Sequence, residues 1–102
     1  MHIVATKRLR EYAEAHPDAE APLVFLERLF QAATWKDINE VRHYRKDADL
    51  VTVSSGRVLQ VFNVRQNYYR LIVHIHFDSQ TIFIREFLTH KEYESGKWKE
   101  RN

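Results

Sequence analysis

Hydrophobic and polar positions alternate most regularly between Tyr68 and Phe77. Tyr69, Leu71, Val73, Ile75 and Phe77 fall on one side, and Tyr68, Arg70, Ile72, His74 and His76 on the other. A period of two is that of a strand with one face on a core. Asp78-Ser79-Gln80 is turn chemistry and Thr81–Phe87 is a second β-rich run, so the pair predicts a hairpin. A two-residue loop with Asp78 opposite Thr81 places Phe77 opposite Ile82 and Ile75 opposite Ile84 on an apolar face. Across the other face it sets His76 against Phe83, His74 against Arg85, Ile72 against Phe87 and Arg70 against Thr89. A one-residue slip would mix the two sets. Thr89-His90-Lys91-Glu92 then has capping-box spacing, which predicts a short helix with His90 and Tyr93 at its mouth, next to Arg70.

The same reading extends along the chain. His2-Ile3-Val4 reads as an edge strand, and Thr6 as the cap of a helix with Leu9, Tyr12, Ala13 and His16 on one face. His16 before Pro17 ends that helix. Pro22 opens a second helix, whose core stripe is Leu23, Leu26, Leu29, Phe30 and Ala33. Tyr12, Phe25 and Phe30 are taken as core aromatics. Thr34 and Asp37 mark another helix start, with Ile38 and Val41 in a short third helix, and Arg42 to Asp49 reads as a loop. Leu50–Val53 and Arg57–Val64, separated by Ser54-Ser55-Gly56, form a further hairpin. The order is that of a small α+β domain over residues 1–102, a mostly antiparallel sheet with an N-terminal helix pair packed on one face. Ser95 to Asn102 is expected to fray unless Trp98 pins it.

Composition narrows the chemistry. With 102 residues and no cysteine, the chain has neither disulfides nor thiolate metal sites. No apolar run is long enough to span a membrane and no signal-peptide pattern is present, so a cytoplasmic protein is expected. The formal charge is only +2, but it is uneven. Residues 57–91 hold five basic side chains (Arg57, Arg65, Arg70, Arg85, Lys91) against two acidic ones (Asp78, Glu86), whereas residues 1–56 hold eight basic against nine acidic. The positive charge therefore falls on the sheet, as a polyanion-binding surface requires.

Three segments carry a resemblance to a known family: Phe62-Asn63-Val64, Asn67-Tyr68-Tyr69-Arg70-Leu71-Ile72, and Ile84-Arg85-Glu86-Phe87-Leu88-Thr89-His90-Lys91-Glu92-Tyr93. They resemble the HigB toxins, a branch of the RelE-like toxins of bacterial toxin–antitoxin systems. The resemblance implies a RelE-like fold and a ribonuclease that cuts messenger RNA, usually on the ribosome, and inhibits translation. It also implies silencing by a helix-turn-helix antitoxin. No cofactor, no metal, no membrane contact and no direct DNA binding by the toxin alone are expected. One departure stands out: the turn before the central strand often carries glycine in this family, and here it is Arg65-Gln66-Asn67, where Arg65 would add a phosphate contact.

Cutting RNA without a metal uses the neighbouring 2′-hydroxyl as nucleophile. It needs a proton acceptor, a stabiliser of the charge on phosphorus and a proton donor for the leaving oxygen. Arginine suits the second task, since its fork holds two phosphate oxygens and stays charged, which singles out Arg70 and Arg85. Histidine is the side chain that titrates near neutrality, so His90 is a candidate base or acid; its bland alternative is a first-turn helix residue. Tyr93 would stack on a base or transfer a proton, the resemblance favouring a C-terminal tyrosine, or else pack as core. Lys91 would contact phosphate, and Asn63 and Asn67 a base or sugar, although Asn67 also suits a turn backbone. His74 either lines the site or is a cross-strand neighbour of Arg85. His74 and His76 alternate like a metal pair but have no third ligand near in sequence. A non-catalytic RNA- or ribosome-binding module would use the same basic, aromatic-studded sheet, and a structural partner would bury that sheet against another chain.

Overall fold

The alternating stretch becomes the central strand of a five-stranded sheet in the computed structural model, which describes residues 1–102. The strands are β1 (His2–Val4), β2 (Asp49–Thr52), β3 (Val58–Val64), β4 (Tyr69–His76) and β5 (Thr81–Thr89), in the spatial order β1-β5-β4-β3-β2. All neighbours are antiparallel except β1, which runs parallel to β5. The helices are α1 (Thr6–Ala15), α2 (Glu20–Ala32), α3 (Ile38–Tyr44) and α4 (His90–Ser95), with short 3-10 turns at Pro17–Ala19 and Lys97–Lys99. The α+β architecture expected from the sequence is present, with α1 and α2 on the apolar face. There Leu9, Leu23, Leu26 and Phe30 join Ile3, Phe62, Leu71, Val73, Ile75, Ile82 and Ile84 in the main core.

The hairpin register differs from the expected one in two ways. The connecting loop is Phe77–Gln80 rather than two residues, so His76 faces Thr81, Ile75 faces Ile82 and His74 faces Phe83. That shift of two leaves each side chain on its intended face. A bulge then follows: Val73 pairs with Ile84 and Ile72 with Glu86, leaving Arg85 unpaired. The extra residue reverses parity beyond it. Phe87 therefore comes opposite Leu71, not Ile72, and Arg70 comes opposite Leu88, not Thr89. The reversal is driven by burial: Phe87 stacks on Tyr12 and Tyr69 with ring centroids 5.1 Å apart in each case, while Leu88 enters a core on the opposite face.

That opposite face is not an open polar surface. Val53, Leu59, Val61, Ile72 and Leu88 form a second, smaller core, and Trp98 closes it at 1% exposure. The C-terminal segment is thus docked rather than frayed. Asn102 donates to the Trp98 carbonyl (2.7 Å) and to Glu86 (3.2 Å), and Arg101 pairs with Glu86 at 3.0 Å.

Other boundaries move for local reasons. Thr6 is the first residue of α1, not its cap, because the chain reverses out of β1 through Ala5 in a left-handed conformation (φ 70°). Asp37 caps α3 by accepting from the Glu40 N–H, and the helix runs on to Tyr44, so Arg42–Tyr44 is helical rather than loop. Phe25 is 61% exposed, because the stripe that α2 buries is Leu23, Leu26 and Phe30. The capping box of α4 forms as its spacing predicts, with Thr89 accepting from Glu92 N–H and Glu92 accepting from Thr89 N–H.

The β3–β4 turn, where the sequence departs from glycine, holds Arg65 (φ 50°) and Gln66 (φ 58°) in the left-handed region. A residue with a side chain is disfavoured there by about 1–2 kcal/mol. Gln66→Gly is expected to stabilise the fold by about 0.5–1 kcal/mol, the relief being partly offset by a freer unfolded chain. A melting temperature equal to or below that of the native chain would contradict this.

Candidate active site

Strand β4 presents Arg70 near its start, on the face away from α1 and α2, between Asn63 of β3 and Leu88 of β5. The guanidinium is held from behind: its Nη1 donates to the carbonyls of Asn67 (3.0 Å) and Tyr69 (3.2 Å). It lies 5.3 Å from the ring centroid of Tyr93, a cation–π distance. Tyr93 is positioned by α4, and its ring stacks on Trp98 (5.5 Å, interplanar angle 18°), whose indole N–H donates to the Tyr93 carbonyl at 3.1 Å. Burial pushes the Tyr93 phenol above its ordinary value; the Asp49 carboxylate adds to this and Arg70 opposes it. The phenol is thus neutral at neutral pH and available as a proton donor.

These groups line a cleft together with Asn63, Arg42, Lys46, Asp47 and Asp49. Arg42, Lys46, Asp47 and Asp49 come from α3, its connection to β2 and the first residue of β2, a stretch that reads only as a polar loop in sequence. The run Arg42-His43-Tyr44-Arg45-Lys46, three bases in five residues, is the signal that could have pointed to it. Asp47 is engaged on several sides: Arg45 grips it through two bonds (2.7 and 2.8 Å), and it accepts from the Asn63 N–H at 2.8 Å. Burial alone would raise its pKa, but the Arg45 pair and the Asn63 N–H outweigh it and hold the carboxyl below the usual range.

A second hollow adjoins the first, lined by Asn67, Tyr68, Tyr69, Thr89, His90 and Lys91. Its link to the cleft is the bond from Arg70 to the Asn67 carbonyl. The His90 N–H donates to the Tyr68 carbonyl (2.9 Å), fixing the start of α4 against the β3–β4 turn. The His90 imidazole is exposed, with Nε2 3.9 Å from the Glu94 carboxylate. Tyr68, 58% exposed, carries the Arg65 guanidinium 4.4 Å from its ring centroid, and Arg65 pairs with Asp18 at 2.9 Å.

Two candidates stand elsewhere. Arg85, at the bulge, donates through Nε to the Asn102 side chain (3.0 Å) and lines neither hollow. His74 faces Phe83, not Arg85, with ring centroids 6.0 Å apart. Its pKa is lowered, first by burial and then by the charges of Arg57, His76 and Arg85. His76 instead bonds Ser79 Oγ at 2.8 Å. No three His, Cys, Asp or Glu side chains converge as metal ligands, and no helix is long and apolar enough to cross a membrane.

A small mixed sheet backed by a helix pair, with a cleft beside a capped C-terminal helix, agrees with the α+β architecture that the resemblance implies. The HigB toxin family, described as the RelE-like toxic component of a toxin–antitoxin system, matches residues 19–96. The chain is also 31% identical, over 92% of its length and 88% of theirs, to the mRNA interferase toxin HigB of Escherichia coli K12 and to the mRNA interferases HigB of Escherichia coli O157:H7 and Shigella flexneri. The chain belongs to the HigB toxin family.

Proposed function

We propose that the chain is an mRNA interferase, an endoribonuclease that cuts messenger RNA on the ribosome without a metal, acts in the cytoplasm and is silenced by a helix-turn-helix antitoxin. The observation that carries the reading is the arrangement of Arg70: a guanidinium held by two backbone carbonyls, over a neutral tyrosine, in a cleft with Arg42 and Lys46 at its side. A scissile phosphate seated on Arg70 would meet a charge already oriented for it, so little reorganisation is needed as negative charge builds up on phosphorus.

In the step proposed, the 2′-oxygen attacks phosphorus as its proton leaves, the P–O5′ bond breaks, and O5′ takes up a proton. The products are a 2′,3′-cyclic phosphate and a 5′-hydroxyl. The ring of Tyr93 is already engaged by Trp98 and Arg70, so the group it has to offer is the hydroxyl, which we assign donation to O5′. His90 lies in the second hollow, which the Arg70–Asn67 bond links to the cleft; we assign it acceptance of the 2′-hydroxyl proton. Asn63 contacts base or sugar in the cleft, and Asn67 and Lys91 follow the strand into the second hollow. Arg65 adds a phosphate contact only by leaving Asp18, and Arg85 and His74 are given no catalytic part.

His90→Gln is expected to lower cleavage by about 10²-fold and leave RNA affinity as it was. Inducing both chains in a bacterial host and mapping new messenger-RNA ends inside translated regions over the first minutes checks this. No new ends with the native chain, together with salt-dependent RNA binding, would instead favour a non-catalytic binding module.

A further inference from the structure

Strand β2 begins at Asp49, opposite Val61, so Asn63 lies on a part of β3 that has no neighbouring strand on that side. Its backbone is satisfied all the same. Asn63 N–H donates to Asp47 Oδ2 (2.8 Å), and the Asn63 carbonyl accepts from Arg45 Nη2 (2.8 Å). Arg45 and Asp47 are locked to each other through both carboxylate oxygens, at 2.7 and 2.8 Å. The pair thus offers one acceptor and one donor to the Asn63 backbone, in place of the missing residues of β2.

The position of this substitute strand matters for the cleft. Asn63 is the cross-strand partner of Arg70. Because the Asn63 N–H and carbonyl point to Arg45 and Asp47, they do not point to β4, so Asn63 and Arg70 form a non-hydrogen-bonded pair, the kind in which opposite side chains come nearest. The stretch of β3 beside Arg70 is therefore fixed at Asn63, on its open side, by two charged side chains rather than by a strand. Arg45 is further placed by its guanidinium, 5.7 Å from the centroid of the buried Phe62 ring.

We propose that Arg45 and Asp47 are positioning residues for RNA cleavage: their ion pair clamps Asn63 and, through it, holds Arg70 in register beneath the scissile phosphate. This rests on the nuclease reading above. The charge of Asp47 alone would repel RNA; the clamp requires it nonetheless, and that opposition separates the two effects. Asp47→Asn removes the repulsion and the two-pronged grip together. If the carboxylate only repelled substrate, the variant would bind RNA more tightly and cleave at least as fast. If it positions Arg70, cleavage falls while affinity is kept or improved. A displacement of about an ångström at a catalytic group costs on the order of 10²-fold.

The test uses the full chain as native protein, Asp47→Asn and Arg45→Lys, which keeps the charge but lacks the fork. Single-turnover cleavage of a messenger RNA on ribosomes and RNA affinity are measured beside amide hydrogen exchange at Asn63. Expected for both variants are a 10- to 100-fold fall in the cleavage rate, RNA affinity equal to or tighter than native, and loss of protection at Asn63 with Leu71 still protected. Native cleavage rates in both variants would overturn the proposal, as would a loss confined to RNA affinity. A native chain that does not cut would sink the nuclease reading and the positioning step with it, whereas the Asn63 exchange would still report whether the clamp exists.

Discussion

Arg70→Ala is expected to slow messenger-RNA cleavage by about 10²- to 10³-fold, the cost of removing one oriented charge-stabilising group. The fold should survive. The Arg70 guanidinium bonds two carbonyls at the start of β4 and rests on an aromatic ring, but it belongs to neither core. The melting temperature should therefore move by only a few degrees, and RNA affinity, supported by Arg42 and Lys46 in the same cleft, should fall much less than the rate. Arg70→Lys sharpens the point. It keeps the charge but cannot hold two phosphate oxygens at once as a planar fork can, so its rate should lie between the other two. End-mapping in cells and melting curves on the purified chains measure both quantities; a fully active Arg70→Ala would remove the centre of the proposed site.

Trp98→Ala is expected to destabilise the fold by about 3–5 kcal/mol, the usual range for truncating a buried tryptophan. Trp98 is 1% exposed and closes the second core over Val53, Leu59, Val61, Ile72 and Leu88. For a chain of this size each kcal/mol corresponds to about 4–8 °C in melting temperature. The loss reaches the cleft as well, since the Tyr93 ring stacks on Trp98 and its carbonyl accepts from the indole. Trp98→Phe keeps a ring for Tyr93 and most of the buried area, so it should recover most of the stability. A small loss with Trp98→Ala would mean that the C-terminal turn contributes little to holding the sheet.

Legibility differed between faces and pairs. Strand identity in the hairpin, its apolar face and the α4 capping box follow from period and from a four-residue spacing, both local properties. The bulge at Arg85 does not. It is selected by where Phe87 and Leu88 find partners, Tyr12 and Tyr69 on one face and Trp98 on the other, and of these only Tyr69 lies within the hairpin. The polar face was misjudged for the same reason, because the side chain that covers it lies beyond α4. In the site, Arg70 and Tyr93 come together as their places near the start of β4 and on α4 suggest, while Arg85 is carried elsewhere by the bulge. The α3–β2 connection was missed because a polar stretch with mixed charge looks like solvated loop until Asp47 is seen to satisfy the backbone of Asn63.

The parallel pairing of β1 with β5 has a consequence for how the toxin comes into being. Ile3 pairs with Ile82, far along the chain, and the cleft draws on α3, its connection to β2, β3, β4 and α4. Contacts of such long sequence separation close late, since loop entropy must be overcome first. A nascent chain that has emerged through β4 carries Arg70 but neither Tyr93 nor Trp98, and its edge partner for β1 does not yet exist. The proposed cleft is thereby incomplete in any translation product that stops before α4.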